Sequence, residues 1–225
     1  NNKTIYFNYP EKDVEINYEP VNILYEDVFL IVAFKPPFLL VHDDGNSQDT
    51  LQARVNGYLL LNGNKYPAQA IHRIDYETSG LVLFCKHPFF QAYCDKNMEE
   101  HHIKKDYIAL VQGHTNYKNK KIVSNIARDR HNAKKMIVHP NGKESISIFN
   151  TLKNYKDCSL IQVTILTGRK HQIRVQCASL NHPILNDPLY GGKRIDNTGL
   201  LLQSHHIQFN DIDITCPQEK RFIRK

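Results

Sequence analysis

His72-Arg73-Ile74-Asp75-Tyr76-Glu77-Thr78-Ser79-Gly80 runs directly into Leu81-Val82-Leu83-Phe84 and then Cys85-Lys86. The polar stretch reads as a loop and the apolar run as a buried strand, so an aspartate and an arginine arrive together at a strand's mouth. A lone carboxylate in such a place can serve as a nucleophile. It can equally belong to an ordinary turn, since Asp, Thr, Ser and Gly are turn formers and Asp75 can cap one. The nonapeptide alone leaves both readings open.

Further polar clusters lie far from it in sequence. Thr167-Gly168-Arg169-Lys170-His171-Gln172-Ile173-Arg174-Val175 switches into an apolar-spaced segment, and His182-Pro183-Ile184-Leu185-Asn186-Asp187-Pro188-Leu189-Tyr190-Gly191 follows closely. Near the front stands Ile23-Leu24-Tyr25-Glu26-Asp27-Val28-Phe29-Leu30-Ile31-Val32-Ala33-Phe34-Lys35-Pro36-Pro37, then Val41-His42. Taken in this order, the blocks resemble the RluA-type family of pseudouridine synthases, which isomerise uridine in RNA. The resemblance runs from about Ile23 to Phe209, and several long motifs in one order make it specific.

Composition narrows the setting independently. The chain has 225 residues, 41% hydrophobic and 23% charged, which fits one soluble globular domain, or one domain of two lobes, with a substantial core. No apolar run approaches a membrane span, and Asn1-Asn2-Lys3 does not open a signal peptide. The chain does not begin with Met, as expected of a trimmed sequence. Its five cysteines (Cys85, Cys94, Cys158, Cys177, Cys216) are scattered and never spaced as CxxC. That argues against a zinc site or disulfide framework and for reduced thiols in the cytoplasm.

Charge is uneven. From His101 to Lys143 there are ten Lys and Arg against two Asp, a local balance of +8 in a chain of net +6. The rest therefore carries −2. A basic region on a near-neutral body is the footprint of a polyanion binder, although a solvated lysine-rich surface gives the same count. Tyr107, Tyr117, Arg128 and Arg130 in the same region tilt it toward RNA.

The coarse element pattern predicts an α+β fold with a large mixed or antiparallel central sheet. Residues 1–20 form a polar lead with Pro10 and Pro20, and 21–225 the main domain. Ile23–Phe34 reads as two strands around Glu26-Asp27, Asp49–Leu59 as a helix ended near Asn62-Gly63, and Gly80–Lys86 as a strand. His87-Pro88 opens a helix running to about Glu100. Lys104–Gln112 alternates as a strand, with Tyr107 and Ala109 on one face and Ile108 and Leu110 on the other. Residues 114–143 read as loop-rich, with short strands near Lys121–Asn125 and Lys135–Val138. Ser145–Leu152 and Ser159–Leu166 form an antiparallel pair, His171–Leu180 a short amphipathic helix, and Leu200–Phe209 a late strand. The family's fold, as the resemblance implies it, is a central sheet with flanking helices and a cleft across its middle. Its members often carry a small RNA-binding domain in front, for which twenty residues are too few.

The resemblance also implies roles. Asp75 becomes the catalytic aspartate, and Arg174 the cation that keeps it charged in a dry pocket. Residues alone leave Arg174 equally a surface arginine on the amphipathic helix. Tyr107, otherwise a half-buried strand tyrosine, becomes the active-site tyrosine that stacks on uracil or relays the carbon-5 proton. Arg73 can fill the place of an everted base or simply contact a phosphate. His72 holds the loop by hydrogen bonding, Thr78 and Ser79 brace the turn, and Leu202 lines the uracil pocket or merely the core. The chemistry needs no added group, so no cofactor and no metal are expected. The expected partner is ribosomal or transfer RNA, with no membrane, and a monomer is the default state. How Asp75 acts, on the ribose carbon, on the base or on a ribose proton, stays open, as does the target uridine. The sequence departs from the family at Lys170, where Thr or Ser is common, and at Gln203-Ser204, where His-Ala is common.

Two rivals remain at this point. A nucleoside or glycoside hydrolase also acts at an anomeric carbon but usually needs two carboxylates, whereas these motifs supply one carboxylate and one arginine. A non-catalytic RNA-binding module would use the basic region and leave Asp75, Tyr107 and Arg174 unexplained.

Overall fold

The computed structural model describes residues 14–224 apart from 46 and 48. Of the polar lead, residues 1–13 lie outside the described residues. Its last part rests on the first helix, where Asn17 N–H donates to the Ala53 carbonyl at 3.0 Å.

The strands are β1 (Asn22–Glu26), β2 (Leu30–Lys35), β3 (Gln69–Ala70), β4 (Ser79–Cys85), β5 (Lys104–Gln112), β6 (Lys120–Arg128), β7 (Met136–Val138), β8 (Lys143–Asn154), β9 (Cys158–Ile165), β10 (Leu202–Phe209) and β11 (Ile212–Thr215). Helices α1 (Leu51–Leu61), α2 (Pro88–Glu99) and α3 (Gln172–Ser179) flank them. The strands join into one sheet in the order β1-β2-β4-β10-β5-β9-β8-β6-β7, with β3 added at β4 and β11 at β10. The fold is therefore α+β around one large mixed sheet. All pairings are antiparallel except that of β10 with β4, where Gln203 faces Ser79 and Ser204 faces Gly80.

Local chemistry explains the ends of the elements. Asp27 accepts from Phe29 N and Leu30 N, which closes the β1–β2 turn. Thr50 caps α1 by accepting from Ala53 N at 3.0 Å, and Gly63 at φ +77° ends it. Pro88 occupies the first turn of α2, where its missing N–H costs nothing.

Alternation along β4 divides the core. Val82 and Phe84 pack with Leu51, Val55 and Leu59 of α1. Leu81, Leu83 and Cys85 face the other way, onto Cys94 of α2 and Ile207 and Phe209 of β10. Along β5, Tyr107, Ala109 and Val111 meet Ile173 and Cys177 of α3, while Ile108 and Leu110 pack with Leu185 and Phe222. Each such fully buried Leu or Phe contributes about 1.5–3 kcal/mol. Ile74 touches both the α1 cluster and the α3 cluster, so the residue before Asp75 sits where the two meet.

Two expectations need correction. The strand expected near Lys121–Asn125 is not confined to those residues: β6 spans nine residues and pairs with β8 from Lys120↔Phe149 to Ile126↔Lys143, while the strand expected near Lys135–Val138 is β7. The length of β6 was underestimated because it lies near the sheet's end, half exposed, so charged residues interrupt its apolar pattern. Helix α3 is also not amphipathic, since Gln172 through Cys177 are all buried. Its polar side chains point into a hydrogen-bonded interior, where Gln172 and Gln176 bond to Ser147.

Candidate active site

The loop before β4 is fixed residue by residue. Thr78 N–H donates to the Asp75 carbonyl at 3.0 Å, so the turn closes through Asp75's backbone and frees its side chain. Lys35 Nζ and Phe38 N–H both donate to the Tyr76 carbonyl, and Leu200 N–H donates to that of Glu77. Ser79 Oγ pairs with Glu219 and accepts from Arg221 Nη2 at 2.7 Å. Gly80, at φ +116°, lies so close to β10 that a Cβ there would sit 2.6 Å from Ser204 N. Only glycine permits that approach.

The freed carboxylate meets Arg174. Arg174 Nη1 donates to Asp75 Oδ2 at 3.0 Å, and His171 Nε2 lies 3.8 Å from the same oxygen. Asp75 Oδ1 makes no hydrogen bond among the described residues, and the side chain is 27% exposed. One oxygen is thus tethered and the other is open.

Arg174 holds a second carboxylate that the sequence reading did not assign. Its Nε and Nη2 donate to Asp187 Oδ2 and Oδ1 at 2.7 and 2.9 Å, and Asp187 is fully buried. Burial alone would lower the Arg174 pKa, but the bonds and charge of Asp187, then of Asp75, outweigh it and hold the pKa above its usual value. The guanidinium stays charged and its fork is oriented before Asp75 arrives. The expectation of one carboxylate and one arginine therefore becomes two carboxylates on one arginine. Asp187 stood in the quoted His182–Gly191 block, and a carboxylate inside an apolar run was its signal.

The remaining residues fall around this pair. Tyr107 is buried opposite Ser204 of β10 and in the same cluster as Leu202 and Ile173. Burial pushes its phenol above the usual range, and the Asp75 charge adds to the shift. Arg73 is exposed and makes no ion pair among the described residues. His72 turns inward: its Nε2 accepts from Leu83 N–H at 3.2 Å, and its buried Nδ1 has no hydrogen-bond partner among the described residues. Burial, helped by the Lys105 charge, pushes this imidazole down to about 3. His171 is pushed down to about 4 by burial, against the Asp75 charge.

Lys35 was read from sequence only as the end of a strand. It is fully buried, and its Nζ donates to the carbonyls of Pro36, Leu39 and Tyr76 at 2.9, 2.7 and 3.0 Å. Burial lowers its pKa to about 7, against the Asp75 charge. A lysine wedged between Phe34 and Pro36 was the available clue. Glu219 and Arg221, which grip Ser79, carried no recognisable pattern.

Comparison with known proteins bears on the family and the fold. The family model described as RNA pseudouridylate synthase matches residues 29–179. An uncharacterised RNA pseudouridine synthase of Bacillus subtilis is 35% identical over 178 residues, covering 78% of this chain and 59% of that protein. A ribosomal large subunit pseudouridine synthase C of Buchnera aphidicola is 37% identical over 217 residues, covering 89% and 68% respectively. The chain thus spans roughly three fifths to two thirds of these relatives' length. In fold, the structure of human RNA Pseudouridylate Synthase Domain Containing 1 superposes with a TM-score of 0.74 at 22% identity, covering 90% of this chain and 85% of that one. With its motifs in order, its sheet shared and the family model matched over more than half its length, the chain belongs to the RluA-type family of RNA pseudouridine synthases.

Proposed function

We propose that this protein isomerises uridine to pseudouridine in RNA, with residues 21–225 as the catalytic domain. The observation that carries the reading is Asp75, tethered through Oδ2 to Arg174 and open at Oδ1. The reaction breaks the bond from uracil N1 to the ribose and forms one from carbon 5. The carbon-5 proton is lost and N1 gains one, so nothing is added or oxidised.

In this reading Asp75 Oδ1 acts on the substrate while Arg174 holds the carboxylate in place through Oδ2. Tyr107 stacks on the uracil beside Leu202, which prevents escape of the detached base. Arg73, exposed two residues upstream, contacts the RNA and fills the everted base's place. His72 serves the site indirectly, by holding the loop against β4. The basic β6–β7 hairpin, with Arg128, Arg130 and Lys134 exposed, supplies phosphate contacts. One chain furnishes every one of these groups, which supports a monomer. Among the described residues no helix is long and apolar enough to cross a membrane. All five cysteines are free and buried, in keeping with a reducing cytoplasm.

The test is incubation with ribosomal and transfer RNA, followed by mapping of carbodiimide-dependent reverse-transcription stops. New stops with the wild type and none with Asp75→Asn are expected. Binding without stops would favour a non-catalytic module, and release of free uracil would favour a hydrolase. Asp187 does not serve the hydrolase as a second carboxylate, because both its oxygens accept from Arg174.

A further inference from the structure

Tyr190 is the meeting point of the basic hairpin and the candidate active site. Its ring is 8% exposed. The Arg174 guanidinium lies over it at 5.0 Å and Lys135 Nζ at 5.6 Å, while the His171 ring meets it edge-on at 5.7 Å. Its hydroxyl accepts from Met136 N–H of β7 at 2.8 Å and contacts His171 Nδ1 at 2.9 Å.

Met136 N can only donate, so it occupies an acceptor site of the tyrosine oxygen. The roles at His171 Nδ1 depend on the tautomer, and the coupling proposed below has the hydroxyl donating its proton to Nδ1. A neutral imidazole accepting at Nδ1 carries its proton on Nε2, the nitrogen that faces Asp75 Oδ2 at 3.8 Å. In that arrangement the backbone of the hairpin bears, through Tyr190, on which group His171 presents to the Asp75 carboxylate. Ring and hydroxyl act together, since the same tyrosine packs under Arg174.

We propose that Tyr190 is a positioning residue coupling the β6–β7 hairpin to the Asp75–Arg174 pair, through the His171 tautomer and the Arg174 stack. The proposal rests on the reading of Asp75 as the residue that acts on uridine. It makes engagement of RNA by the hairpin and alignment of the carboxylate parts of one event.

Two substitutions break the link at different atoms. Tyr190→Phe removes the hydroxyl and keeps the ring stack. Met136→Pro removes the donor at a residue of an edge strand where proline is tolerated, and Met136→Ala, which keeps the donor, controls for the lost side chain packed beside Tyr190. Tyr190→Phe and Met136→Pro are each expected to lower turnover about tenfold through misalignment while RNA affinity is kept. The double variant should be no slower than either single one, as for two breaks in one chain. Histidine 15N NMR of the whole protein should show His171 as the Nε2–H tautomer in the wild type and a mixture in both variants. Additive losses, unchanged turnover, a loss confined to RNA affinity or an Nδ1–H tautomer in the wild type would overturn the coupling. Absence of turnover in the wild type would instead overturn the functional reading, and the NMR comparison would still decide the coupling.

Discussion

Arg174 and Asp75 are 99 residues apart in sequence and 3.0 Å apart in space, and Arg174 reaches Asp75 with the one nitrogen that Asp187 leaves over. The two carboxylates are unequal: Asp187 is fully buried, and Asp75 is about one quarter exposed. The inequality separates stability from activity.

Asp187→Asn strips half of a buried ion pair and should cost about 3–5 kcal/mol, with turnover lost as well. Asp75→Asn should change stability by less than about 1 kcal/mol, because its site is partly solvated, yet abolish turnover. Urea denaturation and the reverse-transcription assay on both variants check the contrast; equal destabilisation would refute it.

Gly80→Ala places a methyl group against Ser204's backbone and forces an L residue to φ +116°. Backbone cannot yield as a flexible side chain can. A loss of about 3 kcal/mol or more is expected, together with turnover, since β4 carries the Asp75 loop. A fully stable variant in thermal unfolding would show that the β4–β10 seam is looser than described.

Lys35→Met unpairs three carbonyl oxygens, each worth about 1–3 kcal/mol at most if left dry. The loss should depend on pH. Lys35 has a folded-state pKa of about 7 against 10.5 for an ordinary lysine, so between these values the unfolded chain binds the extra proton. Wild-type stability relative to the variant should therefore rise as pH rises through that window. Denaturant midpoints at pH 7 and 9 measure it, and a gap that narrows at pH 9 would contradict the assignment.

Tyr107→Phe keeps the ring and removes the hydroxyl. Because burial holds the phenol protonated across the neutral range, RNA affinity should be retained. Turnover should fall by about 10²-fold or more if the hydroxyl handles the carbon-5 proton. Full turnover would confine Tyr107 to stacking.

Much of this was legible in the chain itself. The Asp75 loop, β4 and the two faces of β5 followed from polar motifs abutting apolar runs, and strong periodicity survives without tertiary context; the pairing of Asp75 with Arg174 was implied only by the family resemblance. What escaped depended on long-range partners. Lys35 looks like a strand end until Leu39 and Tyr76 supply carbonyls. Glutamines 172 and 176 look solvent-facing until Ser147 is placed beneath them. Asp187 could be quoted in a motif but not assigned, because its bidentate geometry exists only once α3 is docked. The full length of β6 was obscured by the charges that suit it to an exposed sheet end.

The parallel seam has a consequence for biogenesis. Strand β10 lies between β4 and β5, so a growing chain completes two partial sheets well before the strand that unites them leaves the ribosome. Until then β5, and β4 at Ser79–Gly80 beyond the reach of β3, present a bare hydrogen-bonding edge, the kind of surface that invites aggregation or a chaperone. A message truncated just upstream of the codon for Leu202 would thus yield sticky halves destined for proteolysis, not a sluggish enzyme.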